Sequence, residues 1–228
     1  TFENIAKRLL NFASDRGLKR IAIVGPEGEI GLKAIQAVQR SAIKSNATIT
    51  TISTYPLQIS GIDNSAAAIY KKIVETNTDA IFFTDTATRG LIFITERIRA
   101  SYIKDKSKPI QFLGMTRWDK TRQTLNEPSL QGGWFVVPNE KLKKAYQLRY
   151  SNAFGVFPTE LSALSYDAIA LIGNLIKLTD NEYYPDTFSK SNFLSKDGFI
   201  GIHGVFRFNK DGSNERLLSI AEVENGSF

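Results

Sequence analysis

Cysteine is absent from this 228-residue chain, and histidine occurs once, at His203. The first absence removes disulfides, thiolate nucleophiles and cysteine-held metal sites, and the second rules out a histidine-rich metal centre built from this chain alone. Neither a resident metal nor a cofactor is expected. No apolar run reaches about 18 residues, so no membrane-spanning helix is expected, and no charged-then-apolar leader opens the given sequence. Low-complexity segments and internal repeats are missing too. Nor is there a basic block: 29 Lys and Arg against 23 Asp and Glu give a net charge of +6, but the excess is scattered. Its densest run, Glu140-Lys141-Leu142-Lys143-Lys144, has the pattern of a solvated helix face, and no nucleic-acid motif accompanies it. What is present is ordinary globular material: 42% hydrophobic residues, enough for one large or two small cores.

The chain is organised around Lys19-Arg20-Ile21-Ala22-Ile23-Val24-Gly25-Pro26-Glu27-Gly28-Glu29-Ile30-Gly31 and the run from Leu32 to Lys44. An apolar run that breaks on Gly-Pro and resumes with apolar residues at helical spacing reads as a buried strand, a turn and a covering helix. That is the opening unit of a parallel α/β layer, whose exposed loops lie at the carboxyl edge of the sheet. Gly25, Gly28 and Gly31 are three apart, which fits neither the dinucleotide fingerprint nor the phosphate loop, and Glu27 and Glu29 would repel a pyrophosphate. The turn, Glu27 included, is therefore expected to present polar groups to a cleft rather than to hold a nucleotide.

Along the rest of the chain, an amphipathic helix from Phe2 to Ala13 precedes this strand, which suggests that earlier strands of the architecture lie outside the sequence given. Ala47 to Ile52 predicts a second strand, and Asn64 the cap of the next helix. Asp79 to Phe83 predicts a third strand. At its exit Asp85, Thr86 and Thr88 either bind a small polar ligand or cap the helix that begins at Leu91. Ile110 to Gly114 predicts a fourth strand, followed by Arg117, suited to gripping a carboxylate, and Trp118, either a stacking platform or a loop anchor over the core. Gln131 to Val137 predicts a fifth strand stopped by Pro138. Two helices, Glu140 to Phe154 and Thr159 to Leu178, then lead away from the sheet toward another lobe. A polar linker, Asp180 to Asp186, and a short turn or helix at Phe188 to Leu194 come next, and the tail is read as strands joined at Lys210-Asp211-Gly212. No serine, cysteine or paired carboxylate carries a motif that would set it beside His203, so no catalytic residue is expected and the chain is read as a non-enzyme.

The order strand-G-P-helix, D-A-I-F-F, F-L-G-x-x-x-W, L-Q-G-G-W-F, S-Y-D-A and D-G-F-x-G-x-x-G-V-F-R-F-x-x-D-G resembles type I periplasmic binding proteins of the Leu/Ile/Val-binding kind. It is similar, more closely, to the module of bacterial penicillin-binding-protein activator lipoproteins. The resemblance implies an α/β fold, a Rossmann-like three-layer sandwich with a mostly parallel sheet, forming one lobe of the two-lobed architecture plus crossover helices. On that reading residues 1–137 are the second lobe, 138–203 the helical crossover and part of the first lobe, and 204–228 the strands returning to the second. It implies a non-enzymatic periplasmic module for a small polar ligand, lipid-anchored in its full-length form, with a transporter as partner. The closer similarity implies instead a lipoprotein domain that regulates a cell-wall synthase. At the positions where amino-acid receptors carry an aromatic and an acidic residue, this chain has Ile30 and Thr116, which argues against a free amino acid as ligand.

Overall fold

The computed structural model describes residues 1–86, 89–105, 110–177 and 186–228. Helix α1 (Phe2–Ser14) starts on Thr1, whose side chain accepts from Asn4 N, and buries Ala6, Leu9, Leu10 and Ala13. Strand β1 (Arg20–Pro26) follows, buried at every position after Arg20. Helix α2 (Glu29–Ile43), strand β2 (Thr48–Tyr55), helix α3 (Ile59–Glu75), strand β3 (Ala80–Phe83), helix α4 (Leu91–Lys104) and strand β4 (Gln111–Gly114) complete the alternation. Helix α3 begins a turn before Asn64, because Ile62 extends the stripe Ala66, Ile69 and Ile73 upstream and buries with it. A short helix, α5 (Arg122–Asn126), which the sequence reading did not foresee, precedes β5 (Trp134–Val137).

The six-stranded sheet has the order β2-β1-β3-β4-β5-β9, where β9 is Ser219–Glu222. From β2 to β5 neighbouring strands pair in parallel, as expected for strands that are apolar on both faces. The chain steps from β1 to β2 in one direction and from β2 to β3 and β4 in the other. With right-handed crossovers this puts α2 on one face and α3 and α4 on the opposite face. In keeping with that, α1 packs on α2, and α3 on α4. The three-layer α/β sandwich read from the sequence is what the structure shows.

By internal packing the chain forms two compact units, Thr1–Val136 with Ile220–Phe228, and Val137–Ser219. The second contains α6 (Glu140–Phe154), α7 (Glu160–Lys177), the short α8 (Lys190–Phe193) and an antiparallel three-stranded sheet of β6 (Phe199–Gly201), β7 (Gly204–Phe208) and β8 (Asn214–Arg216). Asn139 caps α6, and Thr159 Oγ1 accepts from Ser162 N at the start of α7. The tail, grouped in the sequence reading as one set of strands returning from 204 to 228, is divided here. β7 pairs with β6 on one side and β8 on the other, and β9 alone joins the large sheet. The reason is local: Phe199 and Phe206 bury with Leu171 and Leu175 of α7, so the small sheet is tied to that helix. Most of the linker expected at Asp180 to Asp186 lies outside the described residues.

One buried carboxylate joins the small sheet to α7. Asp167, from the Ser165-Tyr166-Asp167-Ala168 stretch, accepts from Ile202 N at 2.6 Å and from Arg216 Nη1 at 2.8 Å, and its side chain is 3% exposed. Gly201 must be glycine here, because a Cβ would stand 2.5 Å from the Asp167 carboxylate. His203 sits in the same turn, where burial and then the Arg216 charge hold its pKa below the ordinary histidine value.

Two outcomes are expected from this geometry. Asp167→Ala takes the buried carboxylate away from the Arg216 guanidinium and from Ile202 N, and should lower unfolding free energy by about 3–5 kcal/mol in urea titration. Because the unfolded chain protonates His203 more readily than the folded one, stability should be complete above about pH 6.5 and fall as pH drops below it. His203→Gln should flatten the urea midpoint between about pH 5 and 7.

Candidate functional site

In an open parallel sheet the crevice for a ligand opens where successive crossovers leave on opposite faces. Here that point lies between β1 and β3. Their ends are in register, Val24 beside Phe83, and Phe83 is in turn beside Gly114 of β4. Thr84 N donates to Val24 O at 3.0 Å and Met115 N to Phe83 O at 2.9 Å, so the ladder runs on into the loops. The exits after Val24, Phe83 and Gly114 therefore open side by side at one edge, as the sequence reading required.

Asp85 fixes the edge. Its carboxylate is buried and accepts from Tyr55 Oη at 2.7 Å, from Thr86 N at 2.8 Å and from Gly90 N at 2.8 Å, with Arg89 Nε at 3.9 Å. Its carbonyl accepts from Thr116 Oγ1 at 3.1 Å. One residue thus ties together the end of β2, the start of α4 and the exit of β4. Burial, then the adjacent carboxylate, push the Tyr55 phenol far above its ordinary range, so it stays a donor. The Asp85 carboxylate is turned inward, to Gly90 N just ahead of α4 and to Tyr55, while α4 itself starts without a side-chain cap. The Asp85 side chain is fully buried and its oxygens are occupied.

The other candidates divide by position. Glu27 and Ile30 are exposed on the β1 exit and the first turn of α2, whose N-cap, Gly28, provides no side-chain cap. Glu27 N donates to Tyr55 O at 2.9 Å, holding that exit against the end of β2. Thr86 and Thr116 are half-buried, and Thr88 lies outside the described residues. Arg117 is engaged by Asp119 through both ends of its guanidinium, with Nε to Oδ1 at 2.5 Å. Trp118 is fully buried and acts as the loop anchor. Its ring lies on Gly114 and Gly133, where a Cβ would come within 2.4 and 2.5 Å of it. That contact explains why the F-L-G-x-x-x-W and L-Q-G-G-W stretches occur together: each supplies one glycine to the same indole. Trp118 is thus removed from the exposed wall. Tyr55 and Arg89 join the site's framework without a local signal for either, since their role depends on β2 and α4 meeting at Asp85.

A profile of the periplasmic binding protein family matches residues 1–227. The chain belongs to that family. The periplasmic binding protein fold is also found in solved structures similar to this chain. One is an ABC transporter substrate-binding protein from Desulfitobacterium hafniense in complex with Leu, at TM-score 0.66 and 18% identity, with 100% of this chain and 64% of that one covered. Another is a branched-chain amino acid ABC transporter periplasmic ligand-binding protein from Burkholderia xenovorans, at TM-score 0.69 and 15% identity, with 97% and 58% covered. A third is a solute-binding protein of an ABC transporter from R. palustris in complex with 4-hydroxybenzoate, at TM-score 0.61 and 15% identity, with 100% and 62% covered. This periplasmic binding protein chain thus spans less than two thirds of the length of each. No curated protein matches. The further resemblance to penicillin-binding-protein activators draws no support from these relatives.

The glycine contacts make a direct prediction. Gly114→Ala should displace the indole of Trp118, lowering stability by about 1–3 kcal/mol and changing Trp fluorescence, while Tyr55→Phe, which removes one donor from a buried carboxylate, should cost about 1–3 kcal/mol with the emission unchanged.

Proposed function

We propose that this chain is the ligand-binding part of a periplasmic substrate-binding protein that serves a transporter, and that its ligand is a small organic acid rather than a free amino acid. The observation that carries the proposal is the edge itself: three in-register exits at a switch point, with α2 and α4 both starting there on glycine N-caps without side-chain caps. Helix N-termini favour a negatively charged group. An α-ammonium would need a carboxylate instead. Asp85 is sealed by three donors, Asp119 is held by Arg117, and Thr116 turns its hydroxyl to Asp85 O. Glu27 alone of the candidates presents an exposed carboxylate. Two of the relatives were solved with Leu and with 4-hydroxybenzoate, both of which carry a carboxylate.

On this reading residues 1–137 with β9 form one lobe, and residues 138–219 the crossover and part of the other. Exposed apolar side chains along α6 and α7, among them Leu148, Phe154, Leu161, Ile169 and Ile172, support it. A face of that kind belongs against a sheet, as the inner faces of α1 to α4 do in the first unit.

Thermal unfolding in the presence of small acids tests the assignment. 4-Hydroxybenzoate or an aliphatic acid should raise the midpoint in a concentration-dependent way, and the corresponding amines should not. A larger shift with leucine than with its deaminated analogue would overturn the choice of ligand class, and no shift with any acid would overturn the binding role.

A further inference from the structure

The amino-terminal edge of the same sheet, away from the three exits, holds a cavity of about 610 Å³. Its lining comes from the approach to β1 (Leu18), the end of α3 (Ile73), the approach to β3 (Thr78), the last turns of α4 (Arg99 and Tyr102) and the loop before β5 (Gln131). All of these residues belong to the first compact unit.

Most of the polar groups at this edge are already engaged. Asp79 Oδ2 accepts from Lys19 N at 2.9 Å and Arg20 N at 2.8 Å. Arg20 donates to Thr76 O at 2.7 Å and Asn77 O at 2.8 Å, which meets the carbonyl end of α3 with positive charge. Gln131 donates to Leu125 O and Glu127 O and accepts from Asn225 N.

Arg99 and Tyr102 differ from these. The half-buried Arg99 lies over the Phe112 ring, 4.0 Å from its centroid. It donates to Ser129 O from Nε at 3.3 Å and from Nη2 at 3.2 Å, and to Ile110 O from Nη1 at 3.2 Å. Those are long bonds to neutral acceptors. A guanidinium has five N–H groups, so two are left over, and among the described residues no carboxylate lies within ion-pair distance of it. Burial lowers the Arg99 pKa without discharging it, since arginine ionises so far above neutrality. Tyr102 is buried edge-on against Tyr70, with ring centroids 4.9 Å apart, and its hydroxyl makes no hydrogen bond among the described residues. Burial pushes its pKa up to about 12, which keeps the phenol a donor. A positive charge with only carbonyl partners, an unused phenol and an apolar floor of Leu18, Ile73 and Ile110 line one space.

We infer that this cavity is a second binding site, for a small organic anion with an apolar body and a single carboxylate that pairs with Arg99 and accepts from Tyr102. A charged carboxylate meets a fixed guanidinium fork in such a place, and the hydrocarbon covers the apolar floor. The site is independent of the one at the carboxyl edge and stands whether or not that one binds an acid.

The test is an amide-shift titration of the whole chain with hexanoate, with hexylamine as the charge-reversed control. Hexanoate should shift Thr78, Gln111 and Gly132 saturably, and hexylamine should leave them in place. Arg99→Gln should weaken the hexanoate response at these residues about tenfold or more, the effect of losing a charge-assisted hydrogen bond. Arg99→Lys keeps the charge but not the fork and should fall between, and Tyr102→Phe keeps the packing while losing the donor. These two variants provide the reading if Arg99→Gln fails to fold. Shifts confined to Gly28, Thr86 and Arg117 at the opposite edge, or a response at Thr78 unchanged in Arg99→Lys and Tyr102→Phe, would overturn the proposal.

Discussion

A carboxylate taken out of water must find donors for its lone pairs, and in this chain the way Asp85 finds them shapes the edge of the sheet. A buried carboxylate left unpaired costs several kcal/mol, whereas one met by a phenol and two backbone amides is tolerated and rigid. Tyr55 comes from the end of β2, Gly90 from the start of α4, and Thr116 reaches the Asp85 carbonyl from the exit of β4. Satisfying one residue therefore brings three segments, far apart in sequence, to fixed positions around the β1–β3 switch point. The loops around a ligand crevice are usually the least constrained parts of an α/β fold. Here their bases are fastened by hydrogen bonds inside the protein, while the outer turn at Glu27 to Ile30 is left exposed.

The same device recurs in the second unit. Asp167 there collects Ile202 N and Arg216, and as Asp85 fastens loop ends to the large sheet, Asp167 fastens the β6–β7 turn to α7. In both units a close approach excludes larger side chains, at Gly201 under the carboxylate and at Gly114 and Gly133 under the Trp118 indole. The short motifs through which the chain resembles its family thus become contacts. The glycine-aromatic and aspartate-glycine pairs are residues that touch across the fold, and they explain packing rather than ligand choice.

The two edges of the large sheet differ electrostatically because parallel strands carry their helices in one direction. Helix N-termini gather at the carboxyl edge and helix C-termini at the amino edge. The first edge needs little side-chain charge to attract an anion. At the second, Arg20 is spent on the carbonyls that end α3, and Arg99 provides positive charge beyond it. Sheet polarity, a property of the backbone, thus decides which side chains are free to meet a ligand.

Apolar runs and Gly-Pro punctuation in the sequence determined that β1 to β5 exist and alternate with helices, since period and burial are local properties of a segment. Composition alone, with no cysteine in the chain, excluded cysteine chemistry. Boundaries were legible only to within a turn, as at α3, where the buried stripe and not Asn64 set the start. Whether Asp85 turned inward or outward was not written locally, because its partner Tyr55 lies 30 residues away and meets it only when β2 and β3 flank β1. The role of Trp118 stayed open between platform and anchor for the same reason: the glycines that receive its ring come from the end of β4 and from the turn before β5. The division of the tail between two sheets was equally a matter of tertiary packing, for a strand's alternation shows that one face is buried but not against what. Sequence sets which surfaces must be covered; only the folded chain decides which residue covers them, because that choice depends on contacts between segments distant along it.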